Sequence, residues 1–384
     1  MLEHAKNRLQ ELQEHLQDAK VDVALLTDES TIAYYAGFWG YLSVEFGRPT
    51  FLIVPADGDP VVVTPLMESE MVSAMTWISD VRTWEDAGSN HWENVLSQIF
   101  KVFPRRLGVE KTVLPGLVLS WLESTSDEAQ LSDVSPLIAK MRTVKSPFEI
   151  GIMKQAGLVA AAMMGAAEEA LAEGVPEYEA ALAVINAGTR AAADFLTDKG
   201  WEQFVSPMIH NLQIMQSGMD TSMVHRRASV KRLQAGDPVY FCFCNMAQFK
   251  QYKLGFDRMF NISHVSDQAA DVQQAAIDAQ QAALSVLRPG IRAEAVAAAA
   301  NEVYQDRGYA SSYRTGRSIG MAYLETPELK SGDTTELKAG MTFAVDGGIS
   351  IDGHYGGRIG DSVVVTSDGF EYLTEYPREV VVIR

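Results

Sequence analysis

Two segments 116 residues apart restrict what this chain can fold into more than any other feature of it. Residues 171–182 (LAEGVPEYEAAL) and 287–298 (LRPGIRAEAVAA) follow one pattern: a helix closes on Gly174 or Gly290, an apolar residue follows, and a second Ala-rich helix begins. A helical stretch of ~20 residues precedes each glycine, and strands with small-residue turns come after. This repeat predicts two αβ halves packed about a pseudo-twofold. Chance likeness between Ala-rich helices is the competing explanation.

The first third of the chain has a different rhythm. It opens with a helix over 1–18, followed by the strand VDVALLTD, a turn through Asp28 and Ser30, and the strand pair TFLIVPADGDPVVV turned at Asp57 and Gly58. Short helices and strands alternate in this way to about Val134, which predicts a small α/β domain. Residues 136–147 (PLIAKMRTVKSP) read as a short helix and connector before the strongly helical FEIGIMKQAGLVAAAMMGAAEEALAEG. The boundary falls near Arg142, giving domains 1–142 and 143–384.

A formal charge of −18 sets up a potential that repels phosphate backbones and anionic lipid, so neither nucleic acid nor a membrane is an expected partner. Residues 1–18 carry charge throughout and lack the apolar core of a signal peptide, and no run is expected to reach the ~18 apolar residues of a membrane span. The two cysteines, Cys242 and Cys244, lie two apart on a strand, point to one side and cannot easily bridge. A cytoplasmic, reducing location is the expectation.

Seven blocks in order carry a family resemblance: FGRPTFLIV (46–54), RTVKSPFEI (142–150), QSGMDTSMVHRRASVKRLQAGD (216–237), YKLGFDRMF (252–260), YRTGRSIGM (313–321), LKAGMTFAVDGGI (337–349) and GGRIGDSVVVTSDGFEYLT (356–374). Together they resemble the creatinase/aminopeptidase P family over essentially the whole length. Within that family the blocks resemble creatinase and, less closely, ectoine hydrolase, both of which work without a metal. The resemblance implies an α/β N-terminal domain of the creatinase type and an α+β pita-bread catalytic domain with the internal pseudo-twofold repeat.

Peptidases of this fold hold two metal ions with two Asp, one His and two Glu. At the matching positions this chain offers Cys242, Gly255, Arg317, Asp346 and Gly360. Two glycines, a thiol and a guanidinium cannot supply the oxygen and imidazole donors such a cage needs, and a fixed positive charge opposes a divalent ion. No metal and no cofactor are expected.

The resemblance also assigns roles. His225 matches the family's catalytic histidine, a group that titrates near neutrality and can carry a proton from water to a leaving amine. Asp257, just before Arg258, stands where creatinase has a carboxylate holding the guanidinium, and Asp346 is a second acid. Arg317 either clamps a substrate carboxylate or pairs with Asp346. Arg48, with Phe46 as a wall, matches an arginine that reaches a neighbouring subunit's pocket, which implies a homodimer. Tyr252 and Cys242 complete the expected substrate-binding set. A nucleophilic role for Cys242 or Cys244 requires a nearby base or cation. His210 and His354 have no motif support and read as structural or surface residues.

These assignments predict a metal-independent hydrolase that cleaves a C–N bond of a small zwitterionic compound, a guanidino acid or cyclic amidine. An Xaa-Pro metallopeptidase with displaced ligands and a catalytically inactive small-molecule binding protein are the alternatives.

Overall fold

Ala5, Leu9, Leu12 and Leu16 recur at helical spacing and bury one face of helix α1 (Leu2–Asp18). The computed structural model describes residues 2–384 apart from 41, 43–45, 87–88, 126–129, 200–204, 210–213, 244–245 and 311–313. The chain divides into two units, Met1–Met141 and Arg142–Arg384.

In the first unit, β1 (Val23–Leu26), β2 (Phe51–Pro55), β3 (Val61–Pro65), β4 (Asp80–Trp84), β5 (Arg106–Val109) and β6 (Gln130–Asp133) form a sheet of order β4-β3-β2-β1-β5-β6. Its central strands read as continuous apolar runs, FLIVP and VVVTP, because both faces are covered. Phe51, Ile53, Val63, Leu107 and Val109 share one core with Trp92 and Leu96 of helix α4 (Trp92–Ile99), which follows α2 (Glu29–Ala36) and α3 (Ser69–Met75). The turn expected through Asp28 and Ser30 is instead the start of α2. The Asp28 side chain accepts from the Thr31 backbone N–H at 2.9 Å, a helix N-cap, and the helix ends at Gly37 in the left-handed region.

The second unit is built on a sheet of order β13-β12-β14-β15-β11-β8-β7. Its strands are β7 (Ile214–Ser217), β8 (Pro238–Cys242), β11 (Asp257–Ile262), β12 (Gly316–Ser318), β13 (Glu325–Leu329), β14 (Thr342–Ile351) and β15 (Tyr355–Val365). A separate hairpin joins β9 (Gln248–Phe249) to β10 (Tyr252–Lys253). Strands β16 (Phe370–Tyr372) and β17 (Val381–Ile383) add to β15 and β11. After α5 (Gly116–Thr125) and α6 (Ser135–Thr143) in chain order come α7 (Pro147–Ala170), α8 (Glu177–Lys199), α9 (Asp267–Val286) and α10 (Ala293–Asp306). Helix α7 starts on a capping box, Ser146 with Glu149, and has Pro147 in its first turn.

The duplication is real at the level of single hydrogen bonds. After α7, the Gly174 N–H donates to the Leu233 carbonyl (2.8 Å); after α9, the Gly290 N–H donates to the Leu337 carbonyl (2.9 Å). The returns match as well, from Leu233 N to Val175 O and from Leu337 N to Ile291 O. Gly174 and Gly290 have φ of 84° and 82°, and Gly236 and Gly340, which precede β8 and β14, have 84° and 87°. Four glycines at left-handed turns hold the two halves to one backbone plan.

Contrary to the expectation for membrane-spanning runs, α7 is long and apolar enough to cross a bilayer, with mean hydropathy 1.4 over its best window. Half of that window is buried inside the protein. A Cβ on Gly157 would lie 1.6 Å from the Leu373 carbonyl oxygen, so its hydrophobicity serves helix packing. Helix α9 makes the same kind of approach to the sheet: a Cβ on Gly347 would meet the Ala276 carbonyl at 2.0 Å, and one on Gly357 the Val272 carbonyl at 2.5 Å.

Gly347→Ala is therefore expected to push α9 off β14 and to destabilise the protein by about 1–3 kcal/mol or more. Chemical denaturation with an unchanged midpoint would show that the helix can shift without cost.

Candidate active site

Three neighbouring strands bring the candidate acids together. Asp257 on β11 pairs in register with Gly360 on β15, and Gly360 pairs on its other side with Asp346 on β14. A Cβ on Gly360 would lie 2.9 Å from Asp257 Oδ2 and 2.9 Å from Asp346 Oδ1, so the two carboxylates face each other across the space a side chain would fill. On the other side of β11, Asp257 is directly opposite Cys242 of β8. That register fixes which residues of the YKLGFDRMF block face the site.

Arg317 fills the rest of this space. It lies on β12 opposite Ala344 of β14, its side chain is 6% exposed, and its Nη1 donates to Asp346 Oδ2 at 2.5 Å. Its Nη2 donates to the Tyr323 hydroxyl, and the guanidinium sits 4.2 Å from the centre of the Tyr323 ring. A Cβ on Gly255 would come within 2.9 Å of Arg317 Nη2 and 2.6 Å of the Ala344 side chain. Of the two roles expected for Arg317, the structure shows the pairing with Asp346.

Tyr323 belongs to a loop that is itself tied down. Glu325 is buried and accepts from Lys145 Nζ (2.9 Å), Arg142 Nη2 (2.5 Å) and the Ala322 N–H (3.1 Å). Burial alone would raise its pKa, but the charges of Lys145 and Arg142, with hydrogen bonds from Lys145 and Ala322, outweigh it and hold the carboxyl at about 2. Lys253 donates to the Met321 carbonyl at 2.5 Å from the opposite side.

Asp257 has the reverse balance. Removal from water, then the neighbouring charge of Asp346, push its carboxyl up to about 6, against a hydrogen bond from Cys242, the charge of Arg317 and a hydrogen bond from Tyr240. The Tyr240 hydroxyl donates to Oδ2 at 3.0 Å. Oδ1 is buried with no nitrogen or oxygen donor among the described residues. A carboxyl that titrates near neutrality and keeps one oxygen unspent is suited to meet a cationic or proton-exchanging group of a ligand.

Behind the acids, Arg258 is buried and donates to the carbonyls of Asp257 (2.7 Å), Gly360 (2.9 Å), Tyr376 (3.1 Å) and Pro377 (2.7 Å) and to Asp361 Oδ1 (2.8 Å). Asp361 is fully buried and also accepts from Arg378, Gln280 and Thr374. The Ser362 hydroxyl closes the start of β11, donating to the Gly255 carbonyl (2.8 Å) and accepting from its N–H (3.0 Å).

His225 stands on an exposed loop with no hydrogen-bond partner among the described residues. The loop is anchored on both sides of it. Arg226 Nη1 bonds both oxygens of the buried Glu177 at 3.1 Å and lies 3.2 Å from Asp220, while the Met223 carbonyl accepts from Arg358 Nη2 at 3.4 Å. Tyr252, expected in the substrate-binding set, is buried, and its hydroxyl donates to Glu149 Oε1 at 3.1 Å, fastening β10 to α7. Arg48, in the first unit, forms a two-point ion pair with Asp86 (3.1 and 2.5 Å), and Phe46 is 61% exposed. His354 is exposed, and Cys244 and His210 lie outside the described residues.

Three participants escaped the sequence reading. Tyr323 and Tyr240 carry no motif signal of their own. Arg358 had one: two residues before Gly360 on β15, it must point to the same face.

A dinuclear metal does not fit these residues. The one carboxylate left at the family's ligand positions, Asp346, already has a guanidinium 2.5 Å away, and Gly255 could not carry a ligand without displacing Arg317. Among the described residues, no three or more of His, Cys, Asp and Glu group as a metal site.

The chain matches two family models, Creatinase/Prolidase N-terminal domain over residues 8–144 and Metallopeptidase family M24 over residues 151–367. It is 28% identical to agropine synthesis cyclase from Rhizobium rhizogenes over 97% of this chain and 96% of that protein. It is 27% identical to creatinase from Bacillus sp. (strain B-0618), over 98% and 91%. A crystal structure of recombinant prolidase from Thermococcus sibiricus superimposes with a TM-score of 0.85 at 25% identity, covering 98% of both chains.

Because folded Asp257 keeps its proton up to about pH 6 and the ordinary carboxyl loses it near 3.8, the stability it contributes is complete below 3.8 and is lost as pH rises through 6. Asp257→Asn removes this loss. The variant is expected to gain on the wild type by up to about 3 kcal/mol between pH 4 and pH 8 in urea unfolding; parallel pH profiles would refute the raised pKa.

Proposed function

We propose, from the premise that the chain belongs to metallopeptidase family M24, that this hydrolase cleaves a C–N bond of a small zwitterionic compound without a metal ion. Guanidino acids and cyclic amidines are the substrate class. The observation that carries the reading is the Arg317–Asp346 ion pair, which stands where the family's metal ligands would converge and is accommodated by Gly255.

With the metal's place taken, the chemistry falls to side chains. Asp257 has the free oxygen and the buried setting to hold an amidinium or ammonium group by a charge-assisted hydrogen bond, with Asp346 held as a second negative wall by Arg317. His225 takes a proton from water as the water oxygen bonds to the substrate carbon. It returns that proton to the nitrogen as the C–N bond breaks. The position of the loop is set by Arg226 on Glu177, which leaves the neighbouring imidazole to move protons.

The same reading includes a homodimer in which Arg48 and Phe46 of one copy serve the other's site; Arg48 would then exchange Asp86 for a substrate carboxylate. A second reading, an Xaa-Pro metallopeptidase, is favoured by the superposition on a prolidase.

Turnover of a guanidino acid or ectoine-type amidine is expected to survive chelators and to fall by about 10²–10⁴-fold in His225→Ala. Stoichiometric Mn, Fe, Co or Zn in the purified protein, together with Xaa-Pro cleavage, would replace this reading with the second.

A further inference from the structure

Arg358 has a guanidinium with spare donors on the same face as the acids. It is two residues from Gly360 on β15, and alternation along the strand puts both on one side of the sheet. Its Nη2 donates to Ser350 Oγ (2.7 Å) and, at longer range, to the Met223 carbonyl. Nε is buried without a partner, and Nη1 has no hydrogen bond among the described residues. In register across β14 is Gly348, and a Cβ there would be 3.4 Å from Nη1, so the opposite strand leaves room above the guanidinium. Half-buried and with two donor positions unspent, this group is poised for an anion.

Tyr240 links that anion site to Asp257. The Arg358 guanidinium lies 5.6 Å from the centre of the Tyr240 ring, and the hydroxyl of the same ring bonds Asp257 at 3.0 Å. One tyrosine side chain therefore meets both the cation and the carboxylate. The Tyr304 hydroxyl, which accepts from the Gly348 N–H at 2.8 Å, lies in the field of both Asp346 and Arg358.

We infer that Arg358 is a specificity residue that receives the substrate's carboxylate, jointly with Arg48 in the dimer reading above, while Asp257 receives its cationic end. This rests on the zwitterion reading above and deepens it. It also gives Arg317 and Arg358 different tasks: the first is neutralised by Asp346, and the second keeps its charge for the ligand.

The test is calorimetric binding of two probes, guanidinoacetate and methylguanidine, which differ by a carboxylate, to the wild type, Arg358→Gln and Arg358→Lys. The wild type is expected to prefer guanidinoacetate by at least about tenfold. Arg358→Gln is expected to lose that preference while still binding methylguanidine, which also reports that the variant is folded. Arg358→Lys is expected to recover part of the preference. Preference retained in Arg358→Gln overturns the assignment and leaves the zwitterion reading standing. Failure of the wild type to bind either probe overturns both.

Discussion

Arg258 is the point on which the site hangs. One buried guanidinium spends its donors on four backbone carbonyls and Asp361, drawing β11, β15 and the segment at 376–377 together. A buried pair of this kind survives only when nearly every donor and acceptor is used, and Asp361 meets that condition through Arg378, Gln280 and Thr374. The result is a rigid floor beneath Asp257 and Gly360. On a softer floor two carboxylates facing each other would separate and rehydrate. Here Asp257 is kept buried instead, and its proton affinity rises.

Seen from that floor, the departures from the metal-binding pattern form one event. A long cation at position 317 needs a cavity, an anion and a platform; Gly255 supplies the first, Asp346 the second and Tyr323 the third. Gly360 then separates the acids where another side chain would wedge them apart. Reverting one position alone would meet a steric or electrostatic obstacle from the others, so the set constrains itself.

The repeat, the two-unit division and the family were legible because they depend on backbone demands that leave marks in sequence: Gly174 and Gly290 at left-handed turns, Ser146 and Pro147 at a helix start. The creatinase/prolidase N-terminal and M24 models match residues 8–144 and 151–367, where most of the motif blocks lie. Asp257 and Asp346 were legible from their motifs, and Gly255 and Gly360 as missing ligands. What was not legible is who pairs with whom. Nothing in GRSIG says whether an arginine turns to a ligand or to Asp346, because that choice is made by Tyr323, six residues on, and by a loop fixed through Glu325 to Lys145 and Arg142. Tyr252 sits in the right block, yet its hydroxyl belongs to Glu149, a helix residue more than a hundred positions earlier. The apolar run of α7 was legible as a helix but was expected to fall short of a membrane span; hydropathy does not distinguish a core helix from a membrane helix, and Gly157 does, once its neighbour is known.

The duplicated backbone conceals an unequal inheritance. At the start of α8 the first copy has Glu177, fully buried and bonded to Ser217, Arg226 and Ser229; at the equivalent start of α10 the second copy has Ala293, equally buried, whose N–H repeats only the backbone contact, to Thr335. The first crossover is a latch for the loop that bears His225, and its counterpart is plain filler. Drift should accordingly be lopsided: the second crossover can accept any small apolar residue, whereas the first has forfeited that freedom in exchange for a chemically addressed loop.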